Sequence, residues 1–446
     1  MPSNTAPTGQ AKRALGLTAC TALVVGNMIG SGIFLLPASL ATIGPIALGG
    51  WLLTSAGALI LAMVFGRLAR VVHKTGGPYA YTQEGYGEFA GFLIAWGYWI
   101  ALWTGNAGVA VALAGYVGFL FPVVAESPSY SLAVALGSIW LLTLVNIRGV
   151  KEAGAVQVIT TVLKLLPLLL IGTLGLFWID TANYSPLNVS GQSDIAAISA
   201  AAALTLWAYL GLESATVPAG EVTEPEKTIP RATILGVLIA ALVYISVTTV
   251  AIGVLPSATL AASTAPLADV AAHMWGSGWG VLIAIGAVIA TFGTLNGFTL
   301  LTGQVPYGAA LDRVFPAKLG QLSRFGTPAN ALVFSNLLAS ILVIMNFSQG
   351  LVGAFNSIIL LAVMSSLLPY ALCSFAELMI RLKGKEGLKG AALLKISLLG
   401  SLGFIYSGWA LYGSGAETVF LGTLLIVAAI PLHVWMKWKN AKTDRS

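Results

Sequence analysis

The feature that most constrains this chain is repetition. Apolar runs of the ~20 residues needed to cross a hydrocarbon core recur from about residue 15 to residue 435, separated by short polar connections. In lipid every backbone N–H and C=O must be satisfied without water, so runs of this length and hydropathy are expected to be helices. They fall at about 16–42, 47–70, 88–120, 131–149, 154–178, 195–220, 231–254, 277–308, 329–346, 352–380, 391–412 and 416–436. No stretch is left over for a soluble domain. The composition agrees: 57% of residues are hydrophobic and 9% charged, against about 25% charged in an ordinary globular domain. The expected fold is an all-α polytopic membrane protein of about twelve transmembrane helices. The first run follows a polar leader and lacks a small-residue cleavage signature, so it reads as a retained helix rather than a signal peptide.

The balance of 22 Lys+Arg against 16 Asp+Glu would suggest nucleic acid in a soluble protein. Here the basic residues are segregated instead. Lys12 and Arg13 precede the first run; Arg67, Arg70 and Lys74 follow the second; Arg148 and Lys151 follow the fourth; Lys227 and Arg231 follow the sixth. Further basic groups follow the eighth run (Arg313, Lys318, Arg324), surround the connection after the tenth (Arg381, Lys383, Lys385, Lys389, Lys395) and follow the twelfth (Lys437, Lys439, Lys442, Arg445). The alternate connections near 42–45, 121–130, 180–193, 256–273, 348–350 and 413–416 carry no Lys or Arg. By the positive-inside rule both termini are cytoplasmic and the number of spans is even. The expected partner of the chain is therefore the lipid bilayer, with no nucleic acid. Residues 1–14 form a cytoplasmic leader, 15–436 a single transmembrane domain and 437–446 a cytoplasmic tail.

Catalytic and metal chemistry find no support. Cys20 and Cys373 lie singly in apolar runs and read as packing residues. His73, His273 and His433 lie far apart near connections, and there is no CxxC, HExxH, Walker-type or GxSxG pattern. No enzyme activity, no cofactor and no metal is expected.

Two runs carry helix breakers in their middles. The first reads Gly26-Asn27-Met28-Ile29-Gly30-Ser31-Gly32-Ile33-Phe34-Leu35-Leu36-Pro37, and each Gly inside a helix costs about 1 kcal/mol relative to Ala. Glycines also mediate close helix contacts, but two of them bracketing Ser31 point to an unwound segment at 30–32. Such a segment leaves amide N–H groups at the start of the next half-helix, where the helix dipole favours a carboxylate. The sixth run reads Thr205-Leu206-Trp207-Ala208-Tyr209-Leu210-Gly211-Leu212-Glu213-Ser214-Ala215-Thr216-Val217-Pro218. Broken helices at matching places in two halves mark a midplane site in secondary transporters. The layout suggests an inverted repeat, about 15–178 and 195–380, with two extra helices at about 391–436; no detailed residue identity links the halves.

Ionisable groups within spans are costly, roughly 2.5–3.5 kcal/mol at a helix centre on insertion scales. Glu213 sits inside the second break, where it is either a satisfied hydrogen-bond partner or a titratable, cation-facing gate. Lys164 in the fifth run can snorkel or pair structurally, or stand in for a coupling cation or sense protons. Glu377, near the end of the tenth run, is left unassigned. Among the aromatics, Trp207 and Phe298 each neighbour a glycine-interrupted segment, where an aromatic wall adds ~0.5–2 kcal/mol of contact with a cation.

The segments Gly26-Asn27-Met28-Ile29-Gly30-Ser31-Gly32-Ile33-Phe34, Gly76-Gly77-Pro78-Tyr79-Ala80-Tyr81 and Pro225-Glu226-Lys227-Thr228-Ile229-Pro230-Arg231-Ala232 resemble the amino acid–polyamine–organocation permeases over nearly the whole chain. Trp103-Thr104-Gly105-Asn106, the sixth-run segment 206–215 and Thr302-Gly303-Gln304 are similar to its basic amino acid/polyamine antiporters, arginine/agmatine exchangers among them. The resemblance implies a five-plus-five inverted-repeat fold and alternating access. It sets a substrate carboxylate against Ser31, Gly32 and neighbouring amides of the Asn27 to Gly32 segment, Gly30 included. The α-amino group would meet the carbonyls of Met28, Trp207 and Leu210, and Ala101 and Asn106 would approach the distal side chain. Trp207 and Phe298 would line the substrate, and Glu213 with Tyr98 and Tyr370 would form the gate on the cytoplasmic side.

Three positions depart from the arginine exchangers of that family, where Phe298 is Trp, Leu102 is Cys and Ala362 is Ser. Lys164, in Thr161-Val162-Leu163-Lys164-Leu165, instead resembles the lysine of proton-coupled and neutral amino-acid permeases of the wider superfamily. The resulting expectation is an inner-membrane antiporter exchanging a cationic amino acid for its amine product or another amino acid. Glu213 motivates the cationic assignment, whereas Lys164 supports an alternative, proton-coupled or exchange transport of neutral amino acids. A membrane-embedded sensor is the remote alternative. A homodimer is compatible with the resemblance.

Overall fold

The computed structural model describes residues 15–72, 77–149, 153–216, 222–384 and 389–443, with backbone alone at 153–163 and 439–443. The leader 1–14, His73, Lys74, Gly76, Lys151, Pro218, Lys385 and the last residues of the tail lie outside the described residues, as do the side chains of Thr161, Val162 and Leu163.

Helices follow the hydropathy closely. The first run is two helices, α1 (Leu17–Met28) and α2 (Ser31–Ala41), followed by α3 (Ala47–Val71), a short α4 (Pro78–Tyr86), α5 (Glu88–Leu120), a single turn α6 (Pro122–Glu126), α7 (Pro128–Arg148) and α8 (Ala153–Leu174). The second half runs α9 (Asp194–Leu206), α10 (Pro225–Val254), the short α11 (Ser257–Ala262) and α12 (Pro266–Trp275), then α13 (Ser277–Leu311), α14 (Ala329–Asn346), α15 (Gly350–Lys383), α16 (Gly390–Gly413), α17 (Ala416–Val427) and α18 (Ala429–Thr443). Among the described residues the only extended pairing is one isolated bridge between Leu15 and Val222.

Nine described helical runs are long and apolar enough to cross a bilayer, and the pair α1 and α2, bent by 41°, makes a tenth. The longest run, Ala329–Lys383, holds two crossings, because Gly350 between α14 and α15 takes φ +76°. Adding α8, whose described part is apolar from Lys164 onward, brings the number to the twelve expected. The chain is an all-helical multi-pass membrane protein. The structured ends extend past several expected boundaries, by six residues at Pro225 and by three at Pro128 and Lys383, where a proline at the first helical turn and basic residues at the last favour the helix.

Burial separates a centre from a periphery. The most apolar stretch of α5 is buried nearly all round, whereas α16 and α17–α18 are mostly exposed. The exposed side chains of these outer helices are apolar, such as Leu398, Leu402, Phe404, Ile405, Phe420 and Leu424, as lipid contact requires. The helix α5 packs against α13, α15, α7 and α14; α3 packs against α10 and α9; and α1 packs against α10 and α8. Cys20 and Cys373 are both free and buried. The two interrupted spans are thereby held in the interior.

Candidate functional site

The first interruption lies between α1 and α2. The helical ladder ends when Ile29 and Gly30 leave helical angles, Ile29 at φ −78°, ψ 88° and Gly30 at φ −131°, ψ −141°. A tight turn follows, with the Gly30 N–H donating to the Met28 carbonyl at 2.9 Å. No side chain caps α2, so its first amides, at Ser31 and Gly32, are left as donors without an intrahelical or capping partner. Both glycines are needed for close approach. A Cβ on Gly30 would stand 2.7 Å from Thr294 Cγ2, and one on Gly32 3.1 Å from Ala208 Cβ and 3.2 Å from the Trp207 ring. The Ser31 hydroxyl is buried with no protein partner among the described residues.

The second interruption follows α9. A turn of 3-10 helix over Trp207–Tyr209 gives way to extended Leu210 at φ −62°, ψ 133°, and a second such turn covers Ser214–Thr216. Between them Gly211 takes φ +100°, a conformation strained for any side chain. The two interruptions are tied together where the Asn27 amide donates to Ser214 Oγ at 2.8 Å. Neighbouring backbone amides already approach two of the expected carbonyls, since Met28 accepts from Gly30 at 2.9 Å and Trp207 accepts from Leu210 at 3.2 Å. A carbonyl has a second lone pair, so each can accept once more.

A cavity opens beside these segments. Asn27, Leu210, Glu213 and Ser214 contribute from the interruptions, Tyr98, Ala101 and Leu102 from α5, and Lys164 from α8. The helix α13 presents Gly293, Thr294, Gly297, Phe298 and Leu301, and α15 presents Ser366. A smaller, narrow compartment adjoins it, bounded by Met28, Gly30, Ser31, Gly32 and Trp207. The two share Asn27, Leu210, Thr294 and Phe298. Trp207 and Phe298 lie with ring centroids 6.0 Å apart. Gly105 admits both rings: a Cβ there would fall 2.8 Å from each.

One acidic and one basic side chain line the cavity. Glu213, 2% exposed, accepts a hydrogen bond from the Tyr370 hydroxyl at 2.9 Å, and Tyr98 lines the cavity beside it. Lys164, 3% exposed, donates to the Gly26 carbonyl at 3.3 Å and to Thr294 Oγ1 at 3.1 Å. All of these partners are uncharged. Among the described residues no group of three His, Cys, Asp or Glu could hold a metal ion.

Of the residues picked out from sequence, Asn27, Met28, Gly30, Ser31, Gly32, Ala101, Trp207, Leu210, Phe298, Tyr98, Glu213 and Lys164 border the cavity or its annex, and Tyr370 touches it through Glu213. Asn106 stands apart. Its amide donates to Asn336 Oδ1 at 2.6 Å and its carbonyl oxygen accepts from Thr299 at 3.3 Å, one layer behind the wall. Leu102 lines the cavity, whereas Ala362 is buried outside it. Sequence reasoning missed Ser214, Ser366 and the α13 face of Gly293, Thr294, Gly297 and Leu301. The i, i+4 glycine pair beside Thr294 and Phe298 was the available signal for that face.

Two interrupted helices bordering a cavity inside a multi-pass protein are the arrangement of a secondary transporter. Residues 15–437 match the amino acid permease family, and the chain belongs to that family. It is 36% identical to the cadaverine/lysine antiporter of Escherichia coli (strain K12), over 80% of this chain and 81% of that protein. It is 33% identical to the arginine/ornithine antiporter of Pseudomonas aeruginosa, over 93% and 89% of the two chains. It is 32% identical to the putrescine transporter of Haemophilus influenzae, over 95% and 97%.

Proposed function

We propose that this permease is an antiporter that exchanges a cationic amino acid, arginine-like in size and charge, for its amine product or another amino acid by alternating access. The observation that carries the reading is Glu213, a carboxylate buried at a helix interruption on the wall of the central cavity, with the Tyr370 hydroxyl as its partner and, among the described residues, no cation within ion-pair distance. A buried unpaired carboxylate is costly, and a cationic substrate offsets that cost. The similarity to antiporters and transporters of arginine, ornithine, lysine, cadaverine and putrescine supports the same class.

In this reading the substrate carboxylate meets the Ser31 hydroxyl and the first amides of α2. The α-ammonium meets the carbonyls of Met28, Trp207 and Leu210. Trp207 and Phe298 flank the side chain, which extends toward Ala101 and, after rearrangement of its partners, Asn106. Glu213, Tyr98 and Tyr370 close the path toward the basic, cytoplasmic end, and Lys164 is the proton-linked group. The halves 15–178 and 195–380 are inverted repeats, both termini are cytoplasmic, the membrane is the bacterial inner membrane, and two copies form a homodimer.

A second reading, exchange or proton-coupled uptake of neutral amino acids, draws support from Lys164, whose ammonium occupies the same cavity. The deciding experiment uses proteoliposomes loaded in turn with arginine, ornithine, lysine, agmatine, putrescine, alanine or serine, against external labelled arginine or alanine, with and without a pH gradient. Labelled arginine entering only against cationic contents supports the antiporter. Labelled alanine accumulating without a counter-substrate overturns it.

A further inference from the structure

We infer that Lys164 restricts the cargo to a single net positive charge, so that this permease exchanges one monocationic amino acid for another and rejects dicationic amines. The inference rests on the antiport reading above and narrows its substrate class.

Glu213 and Lys164 line one cavity, and no other described Asp, Glu, Lys or Arg does. With both charged the empty cavity is neutral. The Lys164 ammonium is held by the Gly26 carbonyl and Thr294 Oγ1, and no carboxylate lies within ion-pair distance of it among the described residues. Behind it an apolar groove lined by Leu166, Pro167, Ile285 and Ile289 opens on the hydrocarbon side. The ammonium has no aqueous route in that direction, and its field acts on whatever fills the cavity.

A zwitterionic amino acid with a cationic side chain brings three charges. Its carboxylate fits the amides of α2 and the Ser31 hydroxyl, one cation offsets Glu213, and the complex carries one excess positive charge. A diamine or agmatine brings two cations and no carboxylate. One cation then remains beside Lys164 without a counter-charge. At an effective dielectric of about 20, a like charge about 6–12 Å away is worth about hundredfold to tenfold in affinity.

The test is competition against labelled arginine with purified protein, using ornithine, agmatine, putrescine and argininamide, the last a dication of arginine's size. The wild-type protein is expected to bind ornithine within severalfold of arginine, and argininamide and agmatine more than tenfold more weakly. Loss of the carboxylate accounts for part of that gap, so the decisive comparison is Lys164→Met. It is expected to narrow the ratio of argininamide to arginine affinity about tenfold, while Lys164→Arg keeps the wild-type ratio. A variant that weakens both ligands by one factor assigns Lys164 a merely structural role and overturns the inference. Should Lys164→Met not remain monodisperse, wild-type vesicles decide alone: agmatine or putrescine serving as counter-substrate as fast as ornithine overturns the inference. Absence of any arginine exchange overturns the antiport reading itself, whereas intact exchange with dications competing equally overturns this inference alone.

Discussion

Two buried glutamates, Glu213 at the second interruption and Glu377 on α15, are treated in opposite ways. Glu377 of α15 is gripped by Arg67 of α3, whose Nε and Nη2 donate to its two oxygens at 2.6 and 2.8 Å, and by Arg381 at 3.0 Å. Glu213 is met by the hydroxyl of Tyr370, seven residues before Glu377 on α15. That spacing is about 10 Å along a helix. Glu377 is neutralised where it stands and joins α3 to α15. Glu213 is met by a neutral donor, which on the proposed function leaves it for a cation that enters the cavity. A carboxylate in a membrane protein is therefore assigned by the charge of its partners rather than by its burial, which is nearly the same at the two sites, 2% and 5% exposed.

The largest expected effect breaks the comparison at Glu213. Glu213→Gln keeps the shape and the Tyr370 contact but removes the charge; truncating one side of a buried charge pair costs about 2–5 kcal/mol, or about thirtyfold and more in cationic substrate affinity. Labelled arginine binding measures this, and thermal unfolding in detergent is expected to show no loss of stability. Next comes Glu377→Gln, which removes the carboxylate charge beside the Arg67 and Arg381 guanidinium groups, each 26% exposed in its side chain. Partial solvation limits the destabilisation to about 1–3 kcal/mol, read as a lower melting temperature with unchanged substrate preference. If instead Glu377→Gln alters preference and Glu213→Gln alters only stability, the two roles are reversed.

A third change sharpens the contrast by disturbing the cavity without touching its charges. Gly30→Ala sets a methyl 2.7 Å from Thr294 Cγ2, and overpacking of this kind costs about 1–3 kcal/mol. Arginine affinity is expected to fall several-fold to tenfold or more, and competition by neutral amino acids to fall in parallel. The smallest effect is that of Tyr370→Phe, which removes one hydrogen bond to Glu213, about 0.5–1.5 kcal/mol. Equilibrium exchange rates are expected to change several-fold at most, with arginine preference retained.

Much of the fold was legible because the bilayer makes one variable, the length of apolar runs, nearly sufficient. The first break was legible at Gly30-Ser31-Gly32 and the second at Gly211, since glycine acts locally on the backbone. Glu213 and Lys164 stood out because charge within a span is expensive anywhere along it. The role of Glu377 was not legible: its partner Arg67 lies 310 positions away, and a span-end acid beside basic residues looks the same whether paired or free. Asn106 reads in sequence as a polar group bound for the cavity. In the fold it turns to Asn336, 230 positions distant, because a buried amide needs several partners and those of α14 are nearer than the cavity.

By itself, then, the sequence determined which segments enter the membrane, where two of them lose their helical ladder, and which ionisable groups are carried inside. Those are consequences of local chemistry in a solvent without hydrogen bonds. Only the tertiary structure decided which groups meet: Asn27 with Ser214, Lys164 with Gly26 and Thr294, Glu213 with Tyr370, Glu377 with Arg67. Each pairing joins residues more than a hundred positions apart, and side-chain contact at that separation is set by how the helices pack, for which no local pattern exists.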